Sequence, residues 1–201
     1  MILLSQKGKS KEESDSHADF SVIFKAEAYM ESTIKDLMER RSCRSYSDKQ
    51  ITDAELNTVL EAGLIAPSAM NRQSPIFVVV QDKETIAKLS KMNAAIMHSN
   101  KDPFYGAPTV IIVLADRNNA NAVADGSLAM GNLMNAAHAI GLGSCWINRA
   151  YEEFESDEGK ALLRKWGVNG EYIGVGHCIL GYPKEEAKPH PINEGRVFFV
   201  K

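Results

Sequence analysis

At 201 residues, 44% of them apolar and 24% charged, the chain has the makings of one ordinary core plus a tail. A net charge of −3 and a pI near 6 argue against nucleic acid as the main partner. The cysteines Cys43, Cys145 and Cys178 are odd in number and scattered, so no disulfide framework is expected and a reducing, cytoplasmic compartment fits.

Residues 1–29 read as a mobile extension, rich in Ser, Lys and Glu from Ser5 to Ser16, with Phe20 to Phe24 able to pack as a short segment. Its opening Met1-Ile2-Leu3-Leu4 is too short for a signal-peptide core. The folded unit is expected over 30–201. A first helix, with Thr33 and Asp36 as a capping pair and an Ile34-Leu37-Met38 stripe, ends at a cluster of arginines. Thr52 and Glu55 mark the start of a second helix through Leu56, Val59 and Leu60, with Gly63 near its end.

Ile76 to Val80 is a β-branched and aromatic run that predicts a strand; Glu84 to Met97 predicts a helix and Thr109 to Leu114 a fully buried strand. A long apolar helix over about 122–140 follows. It carries Asp125, Asn132, Asn135 and His138, which suits a buried helix and not a membrane span. Strands near Cys145 to Ile147 and over Tyr172 to Leu180 flank a helix capped by Ser156, basic in its last turn and closed by Gly167. A Pro-rich connection leads to a last predicted strand, Arg196 to Val200. Without a regular βαβ beat, the order points to an α+β fold and away from a doubly wound sheet.

Three segments bear on chemistry. Arg40-Arg41-Ser42-Cys43-Arg44-Ser45-Tyr46 concentrates guanidinium forks and hydroxyls, which match phosphate oxygens; cations offsetting a helix C-terminus are the plainer reading. Ala66-Pro67-Ser68-Ala69-Met70-Asn71-Arg72-Gln73 is either a polar turn or a stiffened loop that reads the polar edge of a planar heterocycle. Gly141-Leu142-Gly143-Ser144-Cys145-Trp146-Ile147-Asn148-Arg149 is either a helix stop or a strand whose Trp146 and Ile147 line an apolar slot. No dinucleotide fingerprint or phosphate loop is present, and the five histidines share no metal-ligand spacing, so no metal is expected. His177 and Cys178, adjacent in a strand, face opposite ways and cannot form a catalytic pair. Cys43 is read as a small spacer in preference to a reactive thiol, and Met92, Met97, Met130 and Met134 as core filler.

In order and interval, Arg-Arg-Ser-x-Arg-x-Tyr at 40–46, Ala-Pro-Ser-Ala-x-Asn-x-Gln at 66–73, Asp102-Pro103-Phe104-Tyr105-Gly106-Ala107-Pro108 and the run 136–147 resemble the nitroreductase family of flavin enzymes. The resemblance spans about Met30 to Lys201. It implies an α+β fold with a mostly antiparallel sheet flanked by helices, and an intertwined homodimer with FMN at the subunit interface. Carried over, Arg40, Arg41, Ser42 and Arg44 would hold the phosphate, ribityl chain and ring edge. Pro67, Ser68, Ala69 and Asn71 would come from the partner subunit to cover the ring. Trp146, Ile147 and Asn148 would lie beside its reactive edge, with Arg196 as a phosphate contact and Asn100 as a ring-edge contact.

The implied activity is reduction of nitro compounds, quinones or related small acceptors by NADH or NADPH in a ping-pong cycle. No side chain is assigned as catalyst, since the hydride chemistry belongs to FMN. Alternatives are a flavin-storing or flavin-sensing protein without turnover, and a flavin reductase or dehydrogenase with its own substrate. Two departures stand out. Ser74-Pro75 replaces the Pro-Trp of many relatives, and Asn148-Arg149 brings a guanidinium that would favour anionic substrates or the phosphate of a nicotinamide cofactor, or else face solvent.

Overall fold

In the computed structural model, residues 32–186, 188–189 and 191–201 are described; the extension expected over residues 1–29 lies outside them. They fall into two units, taken separately: 32–189 and 191–201.

The first unit begins with helix α1 (Ser32–Glu39), which already includes Ser32, so Thr33 sits in the first turn and does not cap it. None of α1 is buried, and Ile34 and Leu37 remain about half exposed. Helix α2 (Asp53–Leu64) starts as expected: Thr52 and Glu55 each bond the other's backbone N–H, a complete capping box. Its Gly63 lies within the helix against Leu133 and Phe77, where a Cβ would fall 2.6 Å from Leu133 Cδ2; the C-cap is Ile65.

Strand β1 (Pro75–Val80), helix α3 (Lys83–Ile96), strand β2 (Thr109–Asp116), helix α4 (Ala122–Ala139) and strand β3 (Gly143–Ile147) follow. Helix α5 (Ala150–Glu155) was not foreseen. Its N-cap, Arg149, offers no side-chain cap, so its start carries no local signature. Helix α6 (Asp157–Lys165) is capped by the Ser156 hydroxyl, and strand β4 (Tyr172–Gly181) completes a four-stranded sheet of order β1-β2-β4-β3. Every pair of neighbours is antiparallel.

Both faces of the sheet are covered by helices, which is why β2 reads as an unbroken apolar run. Val110, Ile112 and Leu114 face Leu89, Phe104, Phe154 and Leu163 on the side of α3, α5 and α6. Ile111, Val113 and Ala115 face Val59, Met130, Leu133 and Ala137 on the side of α2 and α4. Burying each large aliphatic chain stabilises by about 1.5–3 kcal/mol. Met130 is fully buried and Met92 and Met134 pack against the core, but Met97, expected there, is 42% exposed at the end of α3.

The β2–β4 register slips between Val113 and Leu114, so Val175 bulges from β4. The bulge puts Val175 on the same face as Cys178 and Leu180, and leaves Gly174 and Gly176 where the backbone must be approached closely. A Cβ on Gly174 would meet the Ala150 carbonyl oxygen at 2.1 Å, and one on Gly176 would meet Trp146 Nε1 at 2.3 Å. The start of α5 is thereby seated on β4.

The second described unit, 191–201, contains no strand, contrary to the expectation for Arg196 to Val200. Strand geometry needs a hydrogen-bonded neighbour, and none pairs with it among the described residues. Val197, Phe198, Phe199 and Val200 are all exposed.

Candidate functional site

The arginine cluster begins where α1 ends. Arg41 Nη1 donates to the carbonyls of Met38 (2.7 Å) and Arg40 (2.8 Å), so this one guanidinium does cap the helix. Its Nε and the buried Arg40 Nη1 have no hydrogen-bond partner among the described residues. From there the chain runs beside β3. Ser42 bridges Ser144, and the Cys43 N–H donates to the Ser144 carbonyl at 2.9 Å.

The segment is pinned further by Tyr46, which is 4% exposed and whose hydroxyl donates to the Cys43 carbonyl at 2.8 Å. Burial is the main cause that pushes the Tyr46 phenol far above its usual range, so it stays neutral. Cys43 fills the space left by Gly143, where a Cβ would lie 2.7 Å from its Sγ. The spacer reading of Cys43 follows from that contact.

Arg41, Ser42 and Arg44 thus line a cleft of about 670 Å³ together with His138, Gly143 and Pro183. Its size suits a nucleotide-sized ligand. Glu39, Glu185 and Glu186 share the wall, so the basic character is concentrated on the 41–44 side. Arg40 is not among the residues that line this cleft.

The loop 66–74 is built differently. A 3₁₀ turn at Ala69–Asn71 places Met70 (φ 52°), Asn71 (φ 53°) and Gln73 (φ 50°) in the left-handed region, which costs non-glycine residues energy and tends to persist at functional sites. The anchor is Asp125 of α4, only 3% exposed, which accepts from the Ala69 N–H (2.9 Å), Asn119 Nδ2 (2.8 Å) and Ser74 Oγ (3.3 Å). The Ala69 N–H leads in holding its carboxyl below the usual range, against the opposing effect of burial. Ser74 is therefore part of the loop's fastening. Pro67 and Asn71 are exposed, Ser68 and Ala69 half-buried.

Asp125 lies in the first turn of α4 and His138 in its last. Thirteen residues of helix separate them by about 20 Å. Within one chain, loop 66–74 and the arginine cleft stand at opposite ends of α4.

At the end of β3, Ile147 is buried, Trp146 half-buried over Gly176, and Asn148 exposed. Arg149 adopts φ 76° to turn the chain into α5. Its side chain points inward, Nε donating to Asn93 Oδ1 at 3.1 Å. Asn93 Nδ2 in turn donates to the Asn148 carbonyl (2.8 Å) and to Glu153 Oε2 (3.0 Å). His177 Nε2 lies 2.9 Å from Glu153 Oε2, close but without the alignment of a hydrogen bond. His177 and Cys178 do face opposite sides of β4, the one among Phe104 and Phe154, the other in the α2–α4 core.

Two expected residues lie elsewhere. Asn100 lines a different cavity, also of about 670 Å³, between α3 and the 99–108 loop. Arg196 belongs to the second unit and is exposed. Asp125, Asn93 and Glu153 were missed as site-building residues. Asp125 and Asn93 show in the sequence only as a polar residue amid apolar neighbours, which reads equally as a surface position, and Glu153, between Glu152 and Phe154, shows no such trace.

This arrangement defines an α+β protein with an anion-competent cleft at one sheet edge and a strained loop at the far end of its central helix. The sequence model of the Nitroreductase family matches residues 37–187, and the chain belongs to that family. It is 36% identical over 162 residues to an Archaeoglobus fulgidus protein named "Putative NADH dehydrogenase/NAD(P)H nitroreductase", covering 78% of this chain and 88% of that one. A Bacteroides fragilis nitroreductase crystallised with bound FMN superposes with a TM-score of 0.79 at 28% identity, over 86% of this chain and all of the other. A Desulfitobacterium hafniense nitroreductase with bound FMN gives 0.78 at 26% identity, over 86% of this chain and 100% of that one. Among the described residues no helix is long and apolar enough to cross a membrane.

Proposed function

We propose that the protein is an FMN-dependent oxidoreductase that uses NADH or NADPH to reduce nitro compounds, quinones or related small acceptors, as a cytoplasmic homodimer. The observation that carries this reading is the cleft at 41–44, where Ser42 and Arg44 are exposed and Arg41 lines the same wall. Those donors suit the phosphate of FMN. The ring is assigned to the end of β3 on the family resemblance, since Trp146 packs toward the α2–α4 core and Ile147 toward the opposite one. FMN, when bound, accepts a hydride from the nicotinamide donor and passes electrons on to the acceptor that replaces it. The protein's part is to bind the phosphate, orient the ring, shield it from water and keep donors near the edge where negative charge develops.

The separation along α4 supports a site shared between two copies. Pro67, Ser68, Ala69 and Asn71 stand too far from the Arg44 of their own chain to cover the same flavin, and they serve the partner's site. Arg196 and Asn100 are assigned to the phosphate and the ring edge on the family resemblance alone.

Two experiments test this. NADH or NADPH added anaerobically to the FMN-loaded protein bleaches its yellow absorbance; a flavin that stays yellow with both donors would leave a storage or sensing protein. Mixed dimers joining an Arg44→Ala chain to an Asn71→Ala chain retain one intact FMN site, because both lesions fall in the other. Finding no intact site would show that each flavin is held within one chain.

A further inference from the structure

The buried polar group at the end of β3 is unused by the scheme above. Asn93, Glu153 and His177 come from α3, α5 and β4 and are each 1% exposed or less. Glu153 Oε1 and His177 Nδ1 have no hydrogen-bond partner among the described residues. Groups left this way inside a core call for an explanation beyond packing. What the cluster grips is a two-residue corner. Asn93 Nδ2 holds the Asn148 carbonyl and Asn93 Oδ1 holds Arg149 Nε, on either side of the one peptide that must turn left-handed.

We propose that Asn93 is a positioning residue that clamps Asn148–Arg149, and through it the backbone that β3 presents to the bound ligand. The inference rests on the reading that this corner borders FMN. A non-glycine residue at φ 76° stays there only when its surroundings over-determine it. Two observations satisfy that requirement. The amide of Asn93 makes three of its possible hydrogen bonds at 2.8–3.1 Å, one of them to Glu153, which fixes which way the amide faces. From the other side, the Ala150 carbonyl seats against the β4 backbone in the space that Gly174 leaves by lacking a Cβ. The clamp reaches the corner from behind, so its loss disturbs the reacting edge and leaves the arginine cleft alone.

The test uses full-length protein carrying Asn93→Ala, Arg149→Gly, or both. Asn93→Ala is expected to slow NAD(P)H-driven bleaching at least tenfold through kcat and to shift the flavin midpoint potential, with the FMN Kd changed less than threefold. Glycine tolerates the left-handed turn without a clamp, so adding Arg149→Gly recovers most of that rate and most of the melting temperature lost by the apoprotein. Asn93→Asp keeps the volume and the Arg149 acceptor but turns an oxygen toward the Asn148 carbonyl; it is expected to lose rate as Asn93→Ala does. If Asn93→Ala does not fold, Asn93→Asp alone decides, and wild-type rate and potential in that variant overturn the proposal. A double variant no better than Asn93→Ala, in rate and in apoprotein melting, overturns it too. Wild-type protein that bleaches while the variants show no coupling defeats only this inference; wild-type protein that takes up no FMN defeats the functional reading with it.

Discussion

Removing the Asp125 carboxylate detaches loop 66–74 from α4. In Asp125→Ala the Ala69 N–H and one arm of the Asn119 amide lose an ionised acceptor held at 2.9 Å and 2.8 Å in a position only 3% exposed. A buried donor left without its acceptor costs about 1–3 kcal/mol, and the Ser74 contact, at 3.3 Å, adds little. The expected loss is about 3 kcal/mol, which in a domain of this size lowers Tm by roughly 6–12 °C. Because the folded-state carboxyl titrates below its ordinary range, its contribution is complete above about pH 4 and fades as the pH falls through the depressed folded value. The gap between wild type and Asp125→Ala, followed by thermal melts from pH 7 downward, therefore closes only in that acid range. FMN affinity falls in the same variant, since the strained residues Met70, Asn71 and Gln73 lose their anchor. A variant that melts within 2 °C of wild type at pH 7, a loss of about 1 kcal/mol or less, would refute the view that this carboxylate holds the loop.

Arg44→Ala removes one charged fork from the cleft and is expected to weaken FMN binding by about 10- to 100-fold, read by fluorescence quenching, as loss of about 1.5–3 kcal/mol per charged hydrogen bond requires. Thr52→Ala removes the side-chain half of the α2 capping box, leaving the backbone N–H to Glu55 in place, and costs about 1 kcal/mol in urea unfolding, with no effect on FMN affinity. The Thr52 backbone N–H is the leading cause that lowers the Glu55 carboxyl, so this cap also weakens only in acid, as the pH falls through the depressed folded value. Gly174→Ala drives a methyl into the Ala150 carbonyl, where backbone has to move; a loss of about 3 kcal/mol or more in Tm-based stability is expected, with the β3–α5 corner displaced.

Local signals were legible wherever a few neighbouring residues settle the matter. Thr52 with Glu55, Ser156 with its acidic first turn, and the closing Gly167 (φ 76°) all appear where the residues alone place them. Helix α5 was not legible because its cap is a strained Arg149 held by tertiary contacts, and Met97 looked like core because helical spacing does not reveal where a helix leaves its neighbours. The strand pattern of 196–200 is a propensity that finds no partner strand among the described residues.

The α+β order of elements and the family were legible from the residues alone, whereas the seating of the arginine run beside β3 was not. Order and family depend on periodicity, capping and short motifs, which act over a few residues. Only the tertiary structure decided that Arg41 spends part of its guanidinium on its own helix, that Asp125 holds a loop some 55 residues away in the chain, and that Asn93 grips the corner after β3. It also set loop 66–74 about 20 Å along α4 from the cleft. Buried polar contacts of that kind join residues remote in sequence, and their energy exists only once water has been excluded from both partners.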